Sequence, residues 1–218
     1  MPLWDWGYAL EKLPDLLRAL VTTIEITLLA SVLAVVLGLL IAVVRQARIP
    51  LVDRVLWAFV EFIRSTPLLV QIFFLYFVLP QFGIALSAFV VGVLALGVHY
   101  ATYMSEVYRA GIDAVPPGQW EAATALSLPR GRTWTGVILP QAIPRVLPAL
   151  GNYVISMFKE VPLLLPIGVI EVVNQARELG TQSFRFVEMY TIAGILFLLL
   201  SYPASILVRR LEGRLANI

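Results

Sequence analysis

The chain has no cysteine and a single histidine, His99, among its 218 residues. The first absence excludes a disulfide scaffold, a thiolate metal site and a cysteine nucleophile. The second leaves no multi-histidine metal centre, and no resident metal is expected. Charge is also scarce: Asp, Glu, Lys and Arg make up 14% of the residues, where a soluble domain carries about 25%. With 16 basic residues against 14 acidic ones, no strongly basic face is available and nucleic acid is not an expected partner. The sequence also lacks a G-x-x-x-x-G-K-[ST] phosphate loop, G-x-G-x-x-G, HExxH and G-x-S-x-G. Nothing in it points to nucleotide hydrolysis or covalent chemistry by this chain, and no cofactor of its own is expected. What is abundant is apolar: 60% of residues, with a mean hydropathy of +0.87. A soluble domain of this size has no core that would hide such an excess. The composition is that of an integral membrane protein.

Runs without charge delimit the spans. Ile26 to Val44 is 19 uncharged residues, close to the roughly 20 that cross the hydrocarbon layer as a helix, and this span is expected to begin near Leu16. Ser65 to Ser105 is uncharged for 41 residues, twice what one crossing needs, so it must turn. Pro80-Gln81-Phe82-Gly83 supplies the breakers, which predicts span two from Val55 to Leu79 and span three from Ala88 to Ile112. Span four reads as one broken helix, Val146 to Phe158 and Val161 to Ile170, interrupted by Lys159-Glu160 and followed by Pro162 and Pro166. Met189 to Val208 makes span five. The fold class expected is therefore all-α with five transmembrane helices. Arg45, Arg48, Arg54, Arg109, Arg130, Arg132, Arg145, Arg209, Arg210 and Arg214 fall on one side, which the positive-inside rule assigns to the cytoplasm. The N-terminus is then outside and the C-terminus inside. Residues 1–15, with Trp4, Trp6 and Tyr8 among acidic residues and no basic leader, read as an extracytoplasmic, interfacial segment. Residues 16–218 read as a single transmembrane domain.

The long connection 113–145 has its own punctuation. Pro116-Pro117-Gly118 ends span three, Gln119 to Leu126 forms a short helix, and Pro129-Arg130-Gly131 ends that helix. Ala122 and Ala123 keep one side slim enough to seat in another protein's groove. A solvated linker is the plainer reading.

Specific motifs narrow the choice. Glu121-Ala122-Ala123, with Leu139-Pro140 at the matching distance, resembles the EAA loop of ABC importer permeases, E-A-A-x-x-x-G, nine residues, I-x-L-P. Arg64-Ser65-Thr66-Pro67-Leu68-Leu69-Val70-Gln71, Ser105-Glu106-Val107-Tyr108-Arg109-Ala110-Gly111-Ile112, Gly118-Gln119-Trp120-Glu121 and Leu139-Pro140-Gln141-Ala142 are similar to signatures of the polar amino acid branch, and they stand in its order. Two positions of the loop depart: Ser127 replaces the Gly, and Val137 the Ile. A glycine there serves a positive-φ turn, so Ser127 predicts a somewhat different loop backbone. In span four the branch has K-D/E-T-S-L where this chain has Lys159-Glu160-Val161-Pro162-Leu163, which with Ala125-Leu126-Ser127-Leu128-Pro129 looks more like ectoine and hydroxyectoine permeases. The resemblance implies a type I importer permease with Gly118, Gln119, Glu121, Ala122, Ala123, Ser127 and Pro140 coupling it to an ABC ATPase dimer that carries the ATP and Mg. It also implies a second permease subunit, identical or paralogous, an extracytoplasmic solute-binding protein, and the lipid of a bacterial cytoplasmic membrane as surroundings.

Polar residues within the spans are the candidate substrate site: Thr66, Gln71, His99, Tyr103, Lys159 and Glu160. An intramembrane lysine costs about 2.5–3.5 kcal/mol at a span centre, so Lys159 is expected either in an ion pair or lining a water-filled cavity. Pro67 frees the carbonyl of Ile63, and broken helices at midplane often line substrate sites; a packing kink is the plainer reading. His99 and Gln71 are equally readable as structural hydrogen-bonding groups. Arg64, Glu106 and Arg109 are candidates for a gate or interface, Glu106 and Arg109 at the spacing where helix charges meet. Glu25 is expected to snorkel, and Glu171 to face the side from which a binding protein delivers cargo. The rivals are a gradient-driven oligomeric carrier or channel, which would show an inverted repeat, and a non-transporting scaffold.

Overall fold

A computed structural model describes residues 4–47 and 49–215 of the chain, so Met1 and Arg48, two of the orientation markers above, lie outside the described residues. Helix α1 spans Trp6–Gln46, α2 Pro50–Ser65, α3 Leu68–Phe73, α4 Ala88–Asp113, α5 Pro117–Ala125, α6 Arg130–Thr133, α7 Leu139–Glu160, α8 Val172–Ser183 and α9 Phe186–Leu215. Short π-helical (Phe74–Val78, Trp134–Ile138) and 3-10 (Leu79–Phe82, Val161–Ile167) stretches extend α3, α6 and α7. No strand occurs among the described residues.

The longest element explains the packing. The buried face of α1 recurs every three or four residues through Ala19, Thr23, Thr27, Ala30, Ser31, Ala34, Gly38 and Ala42, mostly small side chains that let α4 approach closely. At Gly38 the backbones come close: an added Cβ would stand 3.0 Å from both the Ala101 carbonyl oxygen and the Met104 Cβ. The opposite face of α1 carries Leu17, Val21, Leu28, Val32, Val36 and Leu40, all exposed, as suits a surface whose solvent is lipid. A core runs through α1, α3, α4, α7 and the 3-10 segment. A second packs Leu16 and Leu20 against Phe158, α8 and α9.

Among the described residues three helices are long and apolar enough to cross a membrane, and the number rises to five if each of two bent pairs counts as one span. The bends correct the expected elements. Span two is not one rod, because α2 and the α3 segment meet at 103° across Thr66-Pro67. The proline removes a donor and pushes the residue before it out of helical geometry; Thr66 is extended, with φ −105° and ψ 138°. Span four breaks after Glu160 as read from the prolines, but its helix starts at Leu139, and α8 continues it at 48° through residues expected to be loop. Residue 15 marks no structural boundary: α1 runs without interruption from Trp6, capped by Asp5, whose Oδ1 accepts from the Gly7 and Tyr8 amides at 2.9 and 3.2 Å.

Candidate functional site

The carbonyl freed by Pro67 is not left open. Gln71, one turn into α3, donates from Nε2 to the Ile63 carbonyl at 2.7 Å, and reaches the Thr66 carbonyl at 3.1 Å and Thr66 Oγ1 at 2.9 Å. Its Oε1 lies 3.2 Å from His99 Nδ1 on α4. With the amide nitrogen committed to carbonyls, Oε1 accepts and Nδ1 is the protonated ring nitrogen. The break is thus a built joint, stitched to α4 through His99. Beyond His99 stands an aromatic cluster: its ring is 5.2 Å from Tyr103 and 5.7 Å from Tyr100, and Tyr153 of α7 lies 5.8 Å from both tyrosines. The Arg64 guanidinium sits over Tyr103 at 5.1 Å and pairs with Glu61 at 3.4 Å. An apolar pocket of about 440 Å³ opens at the joint, lined by Phe62, Ile63, Thr66, Gln71, Phe74 and Leu94 among others.

Thr66, Gln71, His99 and Tyr103 therefore meet, and Glu160 joins them indirectly, since its carboxylate faces the Tyr100 hydroxyl. Glu160 Oε2 is buried with no hydrogen-bond partner. Lys159 is not part of this cluster. It is exposed and forms no ion pair among the described residues, because adjacent helical residues point about 100° apart. Tyr153 was not singled out from the sequence: it lies fifty residues from Tyr103, and only the packing of α7 on α4 brings the rings together. Glu171 corrects an expectation. It is fully buried and caps α8, accepting from the Val173 amide at 2.9 Å and the Asn174 amide at 2.6 Å, so it presents nothing to the outside. Glu25 is exposed on the apolar face of α1.

At the end of the bundle that carries the 113–145 connection, Glu106 and Arg109 do pair, at 2.7 and 3.1 Å. Sequence reasoning missed their third member. Arg45, in the last turn of α1, donates to Glu106 at 2.5 Å and to Asp53 of α2 at 3.0 Å. From the sequence Arg45 reads only as an inside charge, because its partners are 8 and 61 positions away, spacings that carry no helical signal.

The connection itself is well defined. Helix α5 ends in a left-handed turn: the Ser127 amide bonds the Thr124 carbonyl at 2.9 Å and the Leu128 amide bonds the Ala123 carbonyl at 3.0 Å, the two bonds of a Schellman cap. Ser127 has φ 51°, so the turn a glycine would favour is kept with a serine in it, and the expected change of backbone does not occur. Trp120 meets Trp134 edge to face at 5.4 Å, and Gln141 Nε2 donates to Gln119 Oε1 at 3.2 Å. Ala123 turns inward and is buried, whereas Gly118, Glu121, Ala122, Ala125, Leu126 and Pro140 are exposed. A cleft of about 1060 Å³ lies between α5, Trp134 and the ends of α1 and α4.

Known proteins agree with this architecture. Residues 13–217 match the family model described as binding-protein-dependent transport system inner membrane component. The chain is 48% identical over 217 residues to the probable amino-acid ABC transporter permease protein y4tG of Sinorhizobium fredii, covering 97% of this chain and 94% of that one. It is 32% identical to the glutamine transport system permease protein GlnP of Escherichia coli, over 97% and 98% of the two chains. A solved structure described as an amino acid ABC transporter with histidines superposes with a TM-score of 0.88 at 36% identity, covering 97% of this chain and 99% of that one. A match over nearly the whole chain, on a fold with apolar helices and a standing loop helix, leaves one assignment: this protein belongs to the family of inner-membrane components of binding-protein-dependent transport systems, and is a transport subunit rather than an enzyme.

Proposed function

We propose that the chain is the permease subunit of an ATP-driven importer of polar amino acids or amino-acid-like solutes, ectoine among the candidates. The observation that carries this reading is α5. It is a capped helix standing off the bundle with Glu121, Ala122, Ala125 and Leu126 exposed, Leu126 to 72%, a surface left uncovered among the described residues. A groove of a partner ATPase is the occupant that also supplies the missing energy source. ATP and Mg reside on that ATPase dimer. The binding protein docks on the opposite face, a second permease chain completes the pore, and the N-terminus is outside.

Nucleotide binding closes the ATPase dimer, α5 moves with it, and the broken helices alternate the exposure of the aromatic cluster. Cargo meets the cluster from Gln71, His99, Tyr103 and the unpartnered Glu160 oxygen, with exposed Lys159 as the cation for a carboxylate. A carboxylate beside aromatic rings, with the Arg64 guanidinium over Tyr103, suits a zwitterion better than a sugar. A gradient-driven carrier is not favoured, because it leaves α5 without a purpose. The test is Ala122→Trp. Overpacking a seated helix costs about 1–3 kcal/mol, so this variant is expected to lose co-purifying ATPase while its spans fold normally. A variant that co-purifies and transports like the parent would refute the docking surface.

A further inference from the structure

The charged cluster at the loop end has a geometry that simple solvation does not require. The Arg45 side chain is 9% exposed, yet it bridges two helices: Glu106 of α4 at 2.5 Å and Asp53 in the first turn of α2 at 3.0 Å. Glu106 is held a second time by Arg109, which also faces Asp113 at 3.7 Å. The cluster sits directly on the entry to the 113–145 connection. Gln46 donates to Asp113 at 3.4 Å, and Arg145 of α7 donates to the Ala114 carbonyl at 2.5 Å, closing the neck of the loop.

Helix α2 is thinly anchored within the described chain. Val60 is its one buried residue, and it bends by 103° at Thr66-Pro67. Its base is tied to the cluster through Asp53 and its tip carries Arg64, over Tyr103.

The two bonds of Arg45 are unequal. Asp53 is 45% exposed and Glu106 24%. A largely buried guanidinium cannot give up both carboxylates without being stranded, so the outer bond to Asp53 is the one that opens while Glu106 keeps the charge compensated. We propose that Arg45 is the positioning residue of a latch: Asp53–Arg45 fastens the base of α2 to the entry of the coupling loop, and its release lets α2 swing about the Thr66-Pro67 joint. Movement of α5 then reaches the aromatic cluster through α2, a path of salt bridges rather than through the packed α1–α4 core. The latch rests on the ATP-driven reading above, and its test separates the two.

The natural chain has no cysteine, so spin labels at Leu51→Cys on α2 and Leu207→Cys on α9, sites 72% and 69% exposed, mark this chain at those two positions only, and the Asp53 and Arg45 variants below separate the swing from other motion. The complex with its ATPase is placed in nanodiscs and the label distance is measured by pulsed electron resonance without nucleotide and with ATP and vanadate. The parent is expected to show a nucleotide-dependent shift. In Asp53→Asn the shifted distance is expected without nucleotide, and the nucleotide-dependent change falls roughly twofold or more, with thermal stability unchanged. Asp53→Glu restores the parent behaviour, Arg45→Gln reproduces Asp53→Asn, and the double variant goes no further than either single one. Parent-like distances in Asp53→Asn, or no shift in the parent with ATPase bound, overturn the latch and leave the importer reading standing. Failure of any ATPase to bind the parent overturns that reading and the latch with it.

Discussion

Replacing Gln71 by leucine tests whether the joint at Thr66-Pro67 is built or merely broken. Leucine has nearly the volume of glutamine, so the change opens no cavity and isolates the hydrogen bonds. It removes the 2.7 Å donor to the Ile63 carbonyl and the acceptor 3.2 Å from His99 Nδ1. A stranded buried polar group costs about 1–3 kcal/mol, while hydrogen bonds between transmembrane helices average about 0.6 and reach about 1.7 kcal/mol. His99 loses its acceptor, and the Ile63 carbonyl is left with the longer bonds from Thr66 Oγ1 at 3.2 Å and the Thr66 amide at 3.4 Å, so a loss of about 1–2 kcal/mol is expected. At roughly 2–4 °C per kcal/mol for a chain of this length, the midpoint of thermal unfolding in detergent, followed by tryptophan fluorescence, should fall by about 2–8 °C. Gln71→Glu sharpens the test: it keeps an oxygen for His99 but sets a carboxylate against the Ile63 carbonyl, so it should be less stable than the leucine variant. A leucine variant that melts with the parent, or a glutamate variant more stable than the leucine one, would show that the carbonyl is satisfied some other way and that Gln71 is not the stitch.

Other expectations follow from single positions. Ser127 holds φ 51°, a conformation that costs a non-glycine residue about 1–2 kcal/mol, so Ser127→Gly should leave stability equal or slightly raised and retain ATPase binding, whereas Ser127→Val should lower both; the reverse order in melting and co-purification would contradict the cap. Lys159→Met keeps the apolar stem and removes an exposed charge that forms no ion pair among the described residues, so uptake should drop at least about tenfold, the worth of one charged contact, with assembly unchanged. Competition assays with glutamine, arginine, histidine and ectoine then rank the cargo, and undiminished uptake would remove Lys159 from the site. A cysteine at Gly131, in the exposed part of the loop, should stay unlabelled by an impermeant maleimide in intact cells and react after permeabilisation. Labelling in intact cells would invert the orientation.

Much of this protein is legible without coordinates because the membrane simplifies the physics. Every backbone polar group must be satisfied within a helix, so uncharged runs mark where the long apolar helices fall and in what order. Prolines then mark where the runs break, at Pro67 and after Glu160. The short helix that carries Glu121-Ala122-Ala123 is legible for a different reason, since it is local in sequence and has its own start and stop signals. The break at Pro67 also announced an orphan carbonyl at Ile63. What the sequence does not contain is the partner of each polar group. Nothing in the pattern says that Gln71 reaches back to Ile63 and across to His99, that Tyr153 closes on Tyr100 and Tyr103, that Glu171 is spent as a helix cap, or that Arg45 joins Asp53 to Glu106. Those pairings are set by the relative rotation of helices, and rotation depends on the small-residue seam between α1 and α4. There the approach at Gly38 fixes which faces meet. The angle of a break is likewise not written in the residues around it: the chain turns by 103° at Thr66-Pro67 and by 48° between Ile167 and Val172, past both prolines of the 3-10 segment and just after Gly168 at φ 81°, and how far it turns depends on what the freed backbone groups meet in the folded bundle.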